Sequence, residues 1–157
     1  MVFIWFGLFF IFRFTKLESN LSAKEHKVYL STVLIYPLIE TWIKWMSEKN
    51  IISYSWFWLN RLEHFCWAMA LVIIFLPIFT DVFKSLKGWW NIIFIVSFIC
   101  LLGNLNEFLE YFLHLQGKPK NQLQRAFYYE DTIYDMMMNI VGGFGGFIAL
   151  KSNTNLP

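Results

Sequence analysis

The stretch Trp89–His114, WWNIIFIVSFICLLGNLNEFLEYFLH, decides the fold. Two tryptophans open it, the uncharged run Ile92–Leu102 fills its middle, and Glu107, Glu110 and His114 close it. A helix of this length reaches about 39 Å, more than the roughly 30 Å hydrocarbon core of a bilayer. Tryptophan suits the headgroup level. The stretch therefore predicts a membrane-crossing helix with one polar end. Ionisable groups are costly in lipid, so those at the polar end are candidates for function.

The whole chain agrees with that reading. Its 157 residues are 57% hydrophobic and 21% aromatic, against about 45–50% apolar residues in soluble domains. Mean hydropathy is +0.47. The length suits one membrane domain, residues 1–157, and leaves no room for a separate soluble one. A net charge of +2 is too mild to imply a nucleic-acid partner. Cys66 and Cys100 both fall within apolar stretches, where packing explains them better than a disulfide framework.

Working outward gives five segments. Segment A, Val2–Phe14, is apolar but short; no basic residue precedes it and no small-residue cleavage site follows, so it reads as a retained helix. Segment B, Val28–Met46, contains Pro37 and a Glu40–Lys44 pair at helical spacing. Segment C runs from about Trp56 to Phe79, segment D from Trp89 to His114, and segment E from Asp131 to Leu150. Leu115–Glu130 reads as a loop able to cover a site. The expected fold is all-α: a polytopic transmembrane bundle of four to five helices. If all five segments cross, one side carries seven basic residues and the other six, which slightly favours a cytoplasmic C-terminus and a polar site at the outer face.

Up–down–up topology would bring the polar ends of C, D and E to one face. At about 100° per residue, Gly103, Glu107, Glu110 and His114 share a stripe of roughly 60°. Asp131, Asp135, Met138 and Gly142 share another, and Arg61, His64, Phe65 and Ala68 a third; Glu63 points away. Three readings of this cluster stand. Two histidines and several carboxylates supply ligands for a divalent metal, with Glu107, Glu110, His114, Asp131 and Asp135 as donors, although no HExxH or ExxH element is present. Crowded carboxylates with His64 could carry acid–base chemistry, led by His64, Glu107 and Asp135, while Arg61 holds an anionic headgroup. Or the groups neutralise one another and lock three helices together. Asn104, Asn106 and Asn139 read as hydrogen bonders between helices, and Gly142, Gly143, Gly145 and Gly146 as a close-packing face. Tyr128, Tyr129 and Tyr134 suit an interface.

Three motifs occur in order: Asn60-Arg61-Leu62-Glu63-His64-Phe65, Asn106-Glu107-Phe108-Leu109-Glu110-Tyr111 and Asp131-Thr132-Ile133-Tyr134-Asp135-Met136. The set resembles the YjdF-like family of bacterial inner-membrane proteins over roughly Trp56–Leu150. The closing run Asp135-Met136-Met137-Met138-Asn139-Ile140-Val141-Gly142-Gly143 also resembles the last helix of VanZ-like proteins, which are associated with glycopeptide resistance at the cell envelope. The resemblance implies a bacterial inner-membrane location and singles out Arg61, His64, Glu107, Glu110, Asp131, Asp135 and, as a ligand-binding position, Asn139. It departs from the family pattern at Phe127-Tyr128, where a Gly-Asp pair is expected. The residues and the resemblance together suggest a site that binds or acts on a lipid-linked or headgroup-like ligand. The alternative is a helical scaffold or accessory subunit. Expected partners are membrane lipids and other membrane proteins.

Overall fold

Segment A forms helix α1, Val2–Phe14, and a short 3₁₀ turn, Leu17–Asn20, follows it. Segment B becomes α2, Ala23–Glu48, which begins five residues before the apolar run does. The reason is local. Ser22 accepts the Glu25 backbone N–H at 3.4 Å, and the Glu25 carboxylate accepts the Ser22 N–H at 2.7 Å. This reciprocal cap fixes the helix start whatever the polarity of the next turn. Ser22→Ala is expected to cost about 1 kcal/mol, read from thermal unfolding in detergent. Pro37 lies inside α2, and Lys44 pairs with Glu40 at 2.7 Å as its spacing predicts.

The computed structural model describes residues 2–53, 57–86, 88–115 and 122–153. Segment C divides there into α3, Phe57–Ile74, and α4, Leu76–Ser85, bent by 66° at Phe75. Pro77 sits in the first turn of α4, where its missing N–H costs nothing; deeper in a continuous helix it would remove a hydrogen bond. Segment D is α5, Trp89–Leu115. Segment E extends backward into α6, Gln122–Asn153, so residues 122–130 are helix and not part of a covering loop. Among the described residues there is no strand.

By length and composition, Trp89–Phe112 and Tyr129–Ser152 each suffice to cross a membrane, and the bent α3–α4 pair is a third crossing if it forms one broken span rather than a re-entrant loop. The 13 residues of α1 fall short. Glu25, Glu40, Lys24, Lys27 and Lys44 lower the apolar content of α2, so by length and composition alone two or three helices among the described residues are candidate crossings, within the all-α membrane bundle expected from sequence.

The closest helix pair is α3 with α6. A Cβ at Gly142 would run into the carbonyl oxygen of Phe65, and one at Gly146 would lie 3.0 Å from backbone atoms of Met69. These contacts pair rising numbers with rising numbers, so the two helices run parallel. Helix α5 runs antiparallel to α6: Gly103 faces Asn139, and Gly143 faces Ile99. In lipid, where apolar contact with another helix replaces apolar contact with acyl chains, such close approach is a main source of association. Toward the other end of the bundle, Phe75, Phe79, Phe94 and Phe98 meet edge to face, with Phe79–Phe98 centroids 5.0 Å apart at 85°. Trp5 donates its indole N–H to the Val33 carbonyl at 3.2 Å, tying α1 to α2. Leu101, Leu105, Phe108 and Phe112 on α5, and Met137, Ile140, Val141 and Ile148 on α6, remain exposed. Such an apolar face suits a hydrocarbon surround.

Candidate functional site

Parallel α3 and α6 with antiparallel α5 bring the start of α3, the end of α5 and the front half of α6 to one face. Asp135 is the centre of what meets there. Arg61, one turn into α3, directs one guanidinium nitrogen, Nη1, to Asp135 Oδ1 and the other, Nη2, to Asp131 Oδ1 at 2.6 Å. Asn60 Nδ2 donates to Asp135 Oδ1 at 3.2 Å, and His64 Nε2 lies 3.5 Å from Oδ2. Tyr134 places its ring 5.2 Å from the guanidinium carbon, a distance suited to cation–π attraction.

Helix α5 adds Glu107, which is buried. The Thr132 hydroxyl lies beside its carboxylate, while Oε1 has no hydrogen-bond partner among the described residues. Donor atoms of His64, Glu107 and Asp135 all lie within 4.8 Å of one another. Asn139, one turn beyond Asp135, is also buried, with its Oδ1 unpartnered among the described residues.

The charge balance is uneven. One guanidinium pairs with Asp131 and Asp135, and Glu107 adds a third carboxylate without a cation of its own, so that with His64 neutral the three carboxylates ionised would leave a formal surplus of two negative charges. Asp131 is half-exposed and can be screened by water, but Asp135 and Glu107 are buried. Buried anions need a counter-charge, which a divalent cation or protons can supply.

The remaining candidates take other places. Glu110 accepts from Asn106 Nδ2 at 2.9 Å on its own helix, so Asn106, expected to bond across helices, makes this bond within α5. Arg61, expected to hold an anion, is engaged by two aspartates. The His114 side chain lies outside the described residues, as do residues 116–121 of the expected loop and the Phe127-Tyr128 side chains. Two contributors were not singled out from sequence, Asn60 and Thr132. Both sit within the quoted motifs, Asn60 immediately before Arg61 and Thr132 one helical turn before Asp135, so helical spacing was the available signal.

No curated protein and no solved structure matches the chain. A family described as Predicted membrane protein (DUF2238) does, over residues 3–152, nearly the whole length. With its helical architecture and its membrane-length apolar helices, the chain belongs to that family of predicted membrane proteins.

Proposed function

We propose that His64, Glu107 and Asp135 hold a divalent cation near one bilayer face, and that the site uses it to bind or act on a lipid-linked or headgroup-like ligand. The observation that carries this reading is the approach of one imidazole and two carboxylates, from three different helices, to within 4.8 Å of one another. A tetrahedral ion with bonds of about 2.1 Å separates its donors by about 3.4 Å, so modest side-chain movement closes the set. One nitrogen and two oxygens suit zinc, manganese or iron(II) better than calcium. The unpartnered Glu107 Oε1 and the surplus negative charge supply the electrostatic reason for a cation.

In this reading Arg61 and Asn60 position Asp135, and Thr132 positions Glu107. Outer hydrogen bonds of this kind orient ligands and tune their basicity. Three protein ligands leave a coordination position for water or for an oxygen of the ligand. Asn139 carries a further buried acceptor one helical turn beyond Asp135. The sequence resemblance to YjdF-like and VanZ-like proteins supports a bacterial inner-membrane setting at the cell envelope.

Purified protein in mild detergent, washed free of loose ions, is expected to retain about one transition-metal ion per chain by elemental analysis. Glu107→Gln and Asp135→Asn are both expected to lose it. A metal-free wild type that takes up no added zinc or manganese would sink the reading.

A second reading, a scaffold locked by its polar network, draws on the double ion pair of Arg61 and on the glycine-mediated contact between α3 and α6. It predicts that charge-neutral replacement at Glu107 leaves assembly with partner membrane proteins unchanged.

A further inference from the structure

At the opposite end of the bundle the 3₁₀ turn Leu17–Asn20 joins α1 to α2 and rests on α4. A pocket of about 500 Å³ opens there, lined in part by Arg13, Lys16, Glu18 and His26. Glu18 is the unusual member. Its side chain is only 9% exposed, and Oε1 receives Arg13 Nη1 at 2.5 Å. Oε2 is buried with no hydrogen-bond partner among the described residues, and His26 Nε2 stands off at 3.8 Å. Lys16 is held at φ 58°, a left-handed conformation that side-chain-bearing residues adopt rarely, at the turn where α1 ends. Beside the pocket Phe10, Ile11 and Phe14 are exposed, Phe14 at 82%.

The pocket thus sets the Glu18 carboxylate, whose enclosed Oε2 has only His26 at 3.8 Å among the described residues, next to two cationic side chains at the end of an apolar helix, and a turn of that carboxylate would present the oxygen to the pocket. A purely anionic headgroup would satisfy the cations and leave Glu18 Oε2 unmet. A choline headgroup carries a positive charge but no N–H to donate. A primary ammonium joined to a phosphate meets both demands.

We propose that this pocket seats the headgroup of a phosphatidylethanolamine-type lipid. The Glu18 carboxylate turns to bring Oε2 to the lipid's ammonium, the phosphate lies against Lys16 and Arg13, and the acyl chains run along Phe10, Ile11 and Phe14. The apolar neighbours favour a lipid over a soluble aminophosphate. The site lies at the other end of the bundle from His64, Glu107 and Asp135, so it stands or falls apart from the proposed cation site.

The test is native mass spectrometry of the full chain in mild detergent, titrated with phosphatidylethanolamine, phosphatidylcholine and phosphatidylglycerol of identical acyl chains. Phosphatidylethanolamine is expected to be retained about 5-fold better than either competitor, the scale of one charge-assisted hydrogen bond at a partly exposed site. Glu18→Gln is expected to erase the preference over phosphatidylcholine. Lys16→Gly suits the backbone at that turn and is expected to weaken retention of phosphatidylethanolamine and phosphatidylcholine alike, keeping their ratio. Asp135→Asn is expected to leave the preference intact. Equal retention of the three lipids, stronger retention of phosphatidylglycerol, or a preference that survives in folded Glu18→Gln overturns the proposal. So does displacement of the lipid by an equal concentration of soluble phosphoethanolamine. If Glu18→Gln does not fold, the wild-type ratios and Lys16→Gly decide.

Discussion

Asp135→Ala is expected to destabilise the protein by about 3 kcal/mol or more, and Asp131→Ala by less than about 1 kcal/mol. Both aspartates pair with the same arginine, so their difference isolates burial. The Asp135 side chain is 4% exposed and that of Asp131 49%. Removing Asp135 leaves the buried Arg61 guanidinium without its most enclosed counter-charge and takes away the acceptor of Asn60. Removing Asp131 opens a pair that water can replace. Glu107→Gln should act in the opposite direction. It removes a buried carboxylate that faces no cation of its own, and its amide can still accept from Thr132. With chelator present, its unfolding midpoint in detergent is expected at or above wild type, while metal uptake is lost. A Glu107→Gln protein as unstable as Asp135→Ala would mean that the Glu107 charge is already neutralised within the protein.

The second large effect is expected at Gly142. Alanine there would drive its Cβ into the Phe65 carbonyl oxygen and to 2.7 Å from the Ala68 Cβ, with rigid helix backbone on both sides. Helices α3 and α6 must then separate along their whole contact, an overpacking cost of about 2–3 kcal/mol. The same substitution at Gly145 meets only the tip of the Phe65 ring at 3.4 Å and the Met69 sulfur at 3.6 Å. Alanine favours helix over glycine by up to about 1 kcal/mol, so Gly145→Ala is expected to be neutral or stabilising. The thermal midpoints of the two alanine variants are the measurement. Equal midpoints would mean that α3 and α6 do not approach as closely as described.

Apolar length and helical spacing made much of this legible. The run Ile92–Leu102 marked α5, and the stripes on three segments placed Arg61, His64, Glu107 and Asp135 at one end of the bundle. Helix ends were less visible wherever the chain leaves hydrocarbon. Residues 122–130, QLQRAFYYE, are good enough helix formers to extend α6, but their polarity hid them from a search for apolar runs. The start of α2 was written in the Ser22-x-x-Glu25 cap, outside the apolar run. Pro37 and Pro77 look alike in sequence, yet one lies inside a helix and the other opens one. The difference is tertiary: Phe75 packs against Phe12, Phe79 and Phe98 at the bend. At the site, helical spacing shows which side chains share a face but not which of them bond. That Glu110 turns to Asn106 depends on rotamers that no spacing rule fixes.

The glycine seam between α3 and α6 also bears on how stability varies with temperature. The large heat-capacity change of a soluble protein arises when apolar groups pass into water on unfolding. Parting α3 from α6 inside a bilayer passes Gly142, Gly146, Phe65 and Met69 from one another to acyl chains, with little change in hydration. The free energy of that separation should therefore follow temperature in a nearly straight line. It should lack the maximum at about 10–20 °C that apolar hydration gives water-soluble domains. Cooling would continue to tighten the helix pair that carries Arg61, His64 and Asp135.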